Sequence, residues 1–178
     1  MGREKHFKLG LQGAIVMYKV NMKVMHALHG LGTIECIEQK TILDCVSTFA
    51  VVAFDKMQVM VNLDSRHSSI RMPIAADEVE GVMEHLRSCA PDLPSNHNQR
   101  HKTILELIKS GDIKKLCLVV KGLTELAQKR ALASRDAKAL EQGLRLMTEE
   151  LGHVVGCEPE SLIDTLTQAC LERELVTA

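Results

Sequence analysis

Up to about residue 73, apolar and β-branched positions fall in short runs that alternate or cluster, the pattern of half-buried strands. Four runs are strand-length: 23–28, 32–40, 46–54 and 58–63. Gly30 and Gly32, Asp44 and Cys45, and Asp55 and Lys56 mark the turns between them. Four or five short strands joined by tight turns predict a small antiparallel sheet or barrel. Residues 1–17 have no clear partner in this pattern and read as an N-terminal extension.

After Pro73 the period becomes helical. Val79, Val82, Met83 and Leu86 make one stripe, opened by Asp77 and Glu78, whose charges suit the positive end of a helix dipole. The run 90–96 holds two of the four prolines, stops that helix and is a candidate boundary. A second helix from about His97 to Lys109 puts Ile104, Leu105 and Ile108 on one face. Gly111 suits a left-handed stop, and Asp112 suits the cap of a third helix carrying Ile113, Leu116, Cys117, Val120, Leu123 and Ala127. Ser134 is the expected cap of a fourth, with a stripe of Ala137, Leu140, Leu144, Met147 and Leu151. Gly156 ends it, and Pro159 opens a last helix with Leu162, Ile163, Leu166 and Cys170. The fold class is therefore segregated α+β: a β domain over 18–73, then a compact helical bundle over 74–178.

Composition constrains what the bundle can do. Aromatics are 2% of the chain, with no Trp and one Tyr, so base stacking on single strands lacks its rings. The net charge of −1 hides an asymmetry. Residues 97–145 hold eleven Lys and Arg against five Asp and Glu, whereas residues 146–178 hold one against seven. The middle block is basic enough to meet a phosphate backbone, although the same charges could simply solvate helix faces. Six cysteines without a Cys-x-x-Cys pair read as reduced, mostly core thiols of a cytoplasmic protein. No apolar run approaches the ~18 residues of a membrane span.

Most local motifs carry little chemistry. His26 and His29 stand three apart in a strand, which points them to opposite faces and disfavours a shared metal. Gly30-Leu-Gly32 lacks the rest of a dinucleotide fingerprint. The stretch His97-Asn-Gln-Arg-His-Lys102 is different. At a helix start, backbone N–H groups with Arg100 and Lys102 suit phosphate, and Lys114, Lys115, Lys121, Lys129, Arg130, Arg135 and Lys138 extend the charge.

A resemblance ties these pieces together. Tyr18–Ile34, with Ile37-Glu38 and Ile42, resembles the opening strands of the CarD/CdnL family of bacterial RNA-polymerase-binding regulators. Val59-Met-Val61 and Ile70-Arg71 are similar to its last strands. Ser95–Lys102, Leu107-Ile-Lys-Ser-Gly-Asp112, Val119–Leu123 and Glu149-Glu150-Leu151 resemble its helical domain. The likeness spans roughly 18–173, and the Lys-Ser-Gly-Asp junction is its most specific element. It implies a Tudor-like β domain, of the type shared with the transcription-repair coupling factor, that binds the polymerase β subunit. Lys40, Met60 and Arg71 would stand at that contact. It implies a helical domain that touches promoter DNA through phosphates and the minor groove, with His97, Arg100, Lys102, Lys114 and Lys115 at the contact. The result would be a more stable open complex, formed on the nucleoid without catalysis, metal or cofactor. The family's Gly-Asp is Asn21-Met22 here, and its Tyr-Pro is His26-Ala27. Met60 replaces a basic residue and Asn62 a Pro, whereas Lys40 keeps its charge. His97 occupies the place of the family's wedge Trp; an imidazole buries far less area than an indole.

Two other readings stay open beside this one. The chain could be a diverged protein-interaction module that keeps a regulatory protein partner and has lost DNA wedging. Its acidic last segment, with Glu158, Glu160, Asp164, Glu172 and Glu174, could dock a basic surface or the chain's own basic block. A thiol enzyme would need a cysteine of depressed pKa in a cleft.

Overall fold

The computed structural model describes residues 18–43, 45–65 and 69–172. The extension 1–17, the turn residue Asp44 and Glu174 lie outside them. The chain divides into two compact units at Met72/Pro73.

The first unit is an antiparallel sheet of β1 (Lys23–His26), β2 (Gly30–Ile42), β3 (Cys45–Phe54), β4 (Met57–Asn62) and β5 (Ile70–Arg71), in the order β4-β3-β2-β1-β5. The four sequence runs become β1 to β4, each shifted at its ends. The fifth strand is only two residues long, too short for any periodicity to mark it. A shift of register between Ile34 and Cys36 bulges β2 at Glu35 and increases its twist. Val24, Ile34, Ala50, Val52, Val61, Leu63 and Ile70 fill the interior. Tyr18 joins them and donates its hydroxyl to the Ile70 carbonyl at 3.2 Å, which satisfies the polar end of a buried ring.

The second unit is helical throughout. A 3-10 turn (Ala76–Glu78) leads into α1 (Val79–Ser88), followed by α2 (His97–Lys109), α3 (Ile113–Lys129) and α4 (Ser134–Val155). A second 3-10 turn (Pro159–Leu162) leads into α5 (Ile163–Leu171). Helix α3 is the axis of the unit and packs against α1, α2, α4 and α5. Its predicted stripe of Ile113, Leu116, Cys117, Val120 and Leu123 is buried, and Ala127 alone is exposed. Gly111 takes φ 69°, and the Asp112 carboxylate accepts from the Lys114 N–H at 2.9 Å, as the Ser-Gly-Asp junction predicts.

Three expectations need correction. The proline run 90–96 is no boundary between units: α1, which precedes it, packs on α3 and α5 within the helical unit. The cap of α4 is Ala133, without a side-chain bond, and Ser134 is already helical. The α4 stripe is rotated. Asp136, Ala139, Gly143, Leu146, Met147, Glu150 and Leu151 are buried, whereas Ala137 is exposed and Leu140 and Leu144 are half-buried. Buried Glu150 accepts the Ile74 N–H at 3.0 Å and so ties the entry of the unit to α4. Among the described residues, no helix is long and apolar enough to cross a membrane.

Candidate functional site

The head of α2 is the best-defined polar site in the helical unit. Asn96 caps the helix: its side-chain oxygen accepts from the Asn98 and Gln99 N–H groups at 3.0 and 3.2 Å. Two of the amides expected to receive a phosphate are therefore already occupied. His97, the first helical residue, is half-exposed, with Nδ1 3.4 Å from Asn98 Oδ1.

Arg100 is the main correction. It is 3% exposed and forms an ion pair with Asp136, itself 1% exposed, across α2 and α4. Nη2 lies 2.7 Å from Asp136 Oδ2, and Nε lies 3.2 Å from Oδ2 and 3.4 Å from Oδ1, so the guanidinium edge reaches both carboxylate oxygens. Nη1 donates to the carbonyls of Pro94 and Ser95 at 3.0 and 2.9 Å. All three guanidinium nitrogens are thus engaged inside the protein, and a phosphate has no access to them. Arg100 instead fixes the 94–95 backbone against the starts of α2 and α4, which sets the position of His97. Lys121, counted with the surface charge, is also buried and donates Nζ to the Arg87 carbonyl.

Among the remaining cations, two pairs stand differently toward the head of α2. Lys102 is exposed on α2. Exposed Lys129 and Arg130, at the end of α3, line the same depression of about 390 Å³ as Pro94, Ser95 and Arg100. The fold therefore gathers Lys129 and Arg130 beside the head of α2. Exposed Lys114 and Lys115 follow the other end of α2, a helix whose thirteen residues span about 20 Å. Sequence proximity favoured Lys114 and Lys115, but the return of α3 favours Lys129 and Arg130.

In the β unit, Lys40 Nζ sits 2.9 Å from the Glu38 carboxylate and 3.5 Å from Met60 Sδ, so Lys40 and Met60 share a face across β3. Met60 is 46% exposed. Arg71 lies on β5 beyond β1, at the other edge of the strand order, and donates to the Met72 carbonyl at 3.0 Å. The fold thus brings together Lys40 and Met60 but not Arg71. Two residues past Lys40 the β2–β3 hairpin ends in exposed Ile42 and Val46 and in Leu43, which is 93% exposed at φ 50°. This apolar tip was missed in the sequence reading. Its signal was the meeting of two β-branched runs with apolar residues where a turn usually carries polar ones.

The histidine pair departs from expectation. β1 ends at His26, so His29 lies in the following turn, and the two rings stack with centroids 4.4 Å apart. His26 Nδ1 accepts the Leu28 and His29 N–H groups at 3.1 and 3.2 Å, which occupies that nitrogen as a turn acceptor. Burial, with a smaller contribution from His29, lowers the His26 pKa from 6.5 to about 4. Among the described residues, no group of three or more His, Cys, Asp or Glu is placed to hold a metal. Burial also pushes the Cys117 thiol up to about 12 and that of Cys170 to about 11, the reverse of nucleophile activation.

Comparison with known proteins agrees with this architecture. The family model for the CarD C-terminal domain matches residues 81–167, from α1 into α5. The "Putative transcription factor YdeB" of Bacillus subtilis (strain 168) is 26% identical over 146 residues, covering 79% of this chain and 94% of that protein. The helical unit thus matches the CarD C-terminal domain family, and the chain, with a five-stranded antiparallel sheet preceding that unit in sequence, is similar to a CarD/CdnL-like transcription factor.

Proposed function

We propose that this transcription factor docks on the RNA polymerase β subunit through its β unit and touches promoter DNA through its helical unit, modulating the stability of the open complex. It does so without catalysis. The observation that carries the DNA part is the grouping of Lys129 and Arg130 beside the head of α2, within the segment matched to the CarD C-terminal domain. Exposed cations suit a phosphate backbone, because each can neutralise a phosphate and release condensed counterions. His97 stands at the edge of this group and offers an imidazole to a minor-groove acceptor. Lys102 is a further exposed cation, on α2 itself. The sheet face of Lys40 and Met60, with the hairpin tip beyond it, supports the polymerase contact.

Binding of a fluorescent promoter duplex, measured across salt, tests the DNA part. Lys102→Ala with Lys129→Ala should flatten the slope of log K against log salt by about 0.9 per lost phosphate contact. Lys114→Ala with Lys115→Ala should leave the slope near that of the parent. Equal effects of the two double variants would refute the assignment. Capture of the polymerase β lobe by the full chain tests the other half: Met60→Asp should abolish it, and capture undiminished by Met60→Asp would count against this face.

His97 at the wedge position favours a second reading, a module that keeps a protein partner without wedging DNA. A duplex that never binds, together with intact polymerase capture, would select it.

A further inference from the structure

Helix α4 carries more apolar surface than its own core uses. Its buried face centres on Ala139, Gly143 and Leu146, while Ala137, Leu140 and Leu144 form a second strip. At 3.6 residues per turn that strip lies about 130° around the helix. Pro159 of the second 3-10 turn and Ile163, 40% exposed at the start of α5, face it across an open groove of about 650 Å³. From Ala137 to Thr148 the groove runs for about three helical turns, or ~17 Å.

The rim settles the chemistry of what fits. Exposed Glu141 stands on one wall and exposed Glu160 on the other. The Arg145 guanidinium, the cation of the lining, is paired with Glu149 at 2.6 Å. Nucleic acid and anionic membrane surfaces would meet carboxylates here, and like charges repel. A symmetric pairing of two copies through this groove would bring the same carboxylates face to face. An apolar floor between acidic walls complements an amphipathic helix with aliphatic residues on one face and Lys or Arg along both flanks.

We propose that the α4–α5 groove is a docking site for a basic amphipathic helix of a partner protein, separate from the cationic head of α2. The groove accepts aliphatic side chains at i, i+3 or i+4, and i+7 of that helix, and Glu141 and Glu160 select its flanking charges. This inference does not rest on DNA or polymerase binding and can hold if either fails.

The test uses the full chain with labelled Leu and Ile methyl groups and a three-turn synthetic helix bearing a Leu stripe flanked by Lys. Two control peptides replace Lys by Glu or scramble the stripe. The Lys peptide should bind, with shifts confined to Leu140, Leu144, Ile163 and their neighbours. Glu141→Lys combined with Glu160→Lys should weaken it about tenfold; both positions are exposed, so the fold should survive. Equal binding of the Glu peptide or the scrambled peptide would overturn the proposal. So would shifts centred elsewhere, binding insensitive to the double reversal, or no binding of any peptide. Sedimentation showing the groove filled by a second copy, or binding of anionic vesicles through these methyls, would overturn it as well.

Discussion

Arg100 shows how a residue's meaning depends on a partner far along the chain. Beside Lys102 it reads as one more phosphate ligand; in the fold, Asp136 claims it from 36 residues away. Removing one member of a buried, hydrogen-bonded ion pair leaves the other charge stranded, typically at about 3–5 kcal/mol. Arg100→Ala should therefore destabilise the helical unit by roughly that amount, read by denaturant unfolding of the α-helical signal. Loss of DNA binding in that variant would follow loss of structure, and an unchanged unfolding midpoint would contradict the assignment. His26 makes a second prediction at this scale. Its folded pKa of about 4 lies below the ordinary 6.5, so the fold favours the neutral ring. The contribution is complete above pH 6.5 and is lost as pH falls toward 4, because only the unfolded chain takes up the proton in that window. Amide protection factors in β1 and β2, corrected for intrinsic exchange, should fall across it, and His26→Gln should flatten that dependence; an unaltered profile would rule the histidine out.

At the scale of elements, legibility followed the strength of local signals. β1 to β4 were visible because β-branched runs and turn residues agree with each other. The α2–α3 junction was visible because Ser-Gly-Asp dictates a stop and a cap within three residues. β5 was not, since two residues carry no period. The face of α4 was misassigned because its most regular apolar strip, Ala137, Leu140 and Leu144, lines a groove, while its core contact uses small and polar residues such as Ala139, Gly143 and Asp136. In the sheet, Gly32 of β2 is held by close packing. A Cβ there would come within 2.6 Å of both the Phe54 ring and Val52 Cγ1, and Val52 is fully buried and stiff at χ1. Gly32→Ala should cost the β unit about 1–3 kcal/mol. Faster amide exchange confined to the β2–β3 ladder, with α3 unaffected, is the expected signature; exchange equal to the parent's would show that the sheet absorbs the methyl.

Across the whole molecule, a near-neutral chain is divided into regions of opposite use. The basic block of 97–145 supplies both the buried staples, Arg100 and Lys121, and the exposed cations at the head of α2. The acidic segment that follows supplies the Glu160 wall of the groove. The candidate site was thus partly legible: the sequence pointed to the start of α2, but the fold buries Arg100 against Asp136 and brings Lys129 and Arg130 beside it. Such an arrangement depends on which helix ends meet, and no local pattern encodes that. We propose that this CarD/CdnL-like factor acts on the polymerase–promoter open complex through the head of α2. The most direct measurement is the lifetime of that complex after a heparin challenge, with the parent chain and with Lys102→Ala/Lys129→Ala. A changed lifetime with the parent, returned by the double variant toward that of polymerase alone, is the predicted result. A lifetime that neither chain alters would contradict this role for the head of α2.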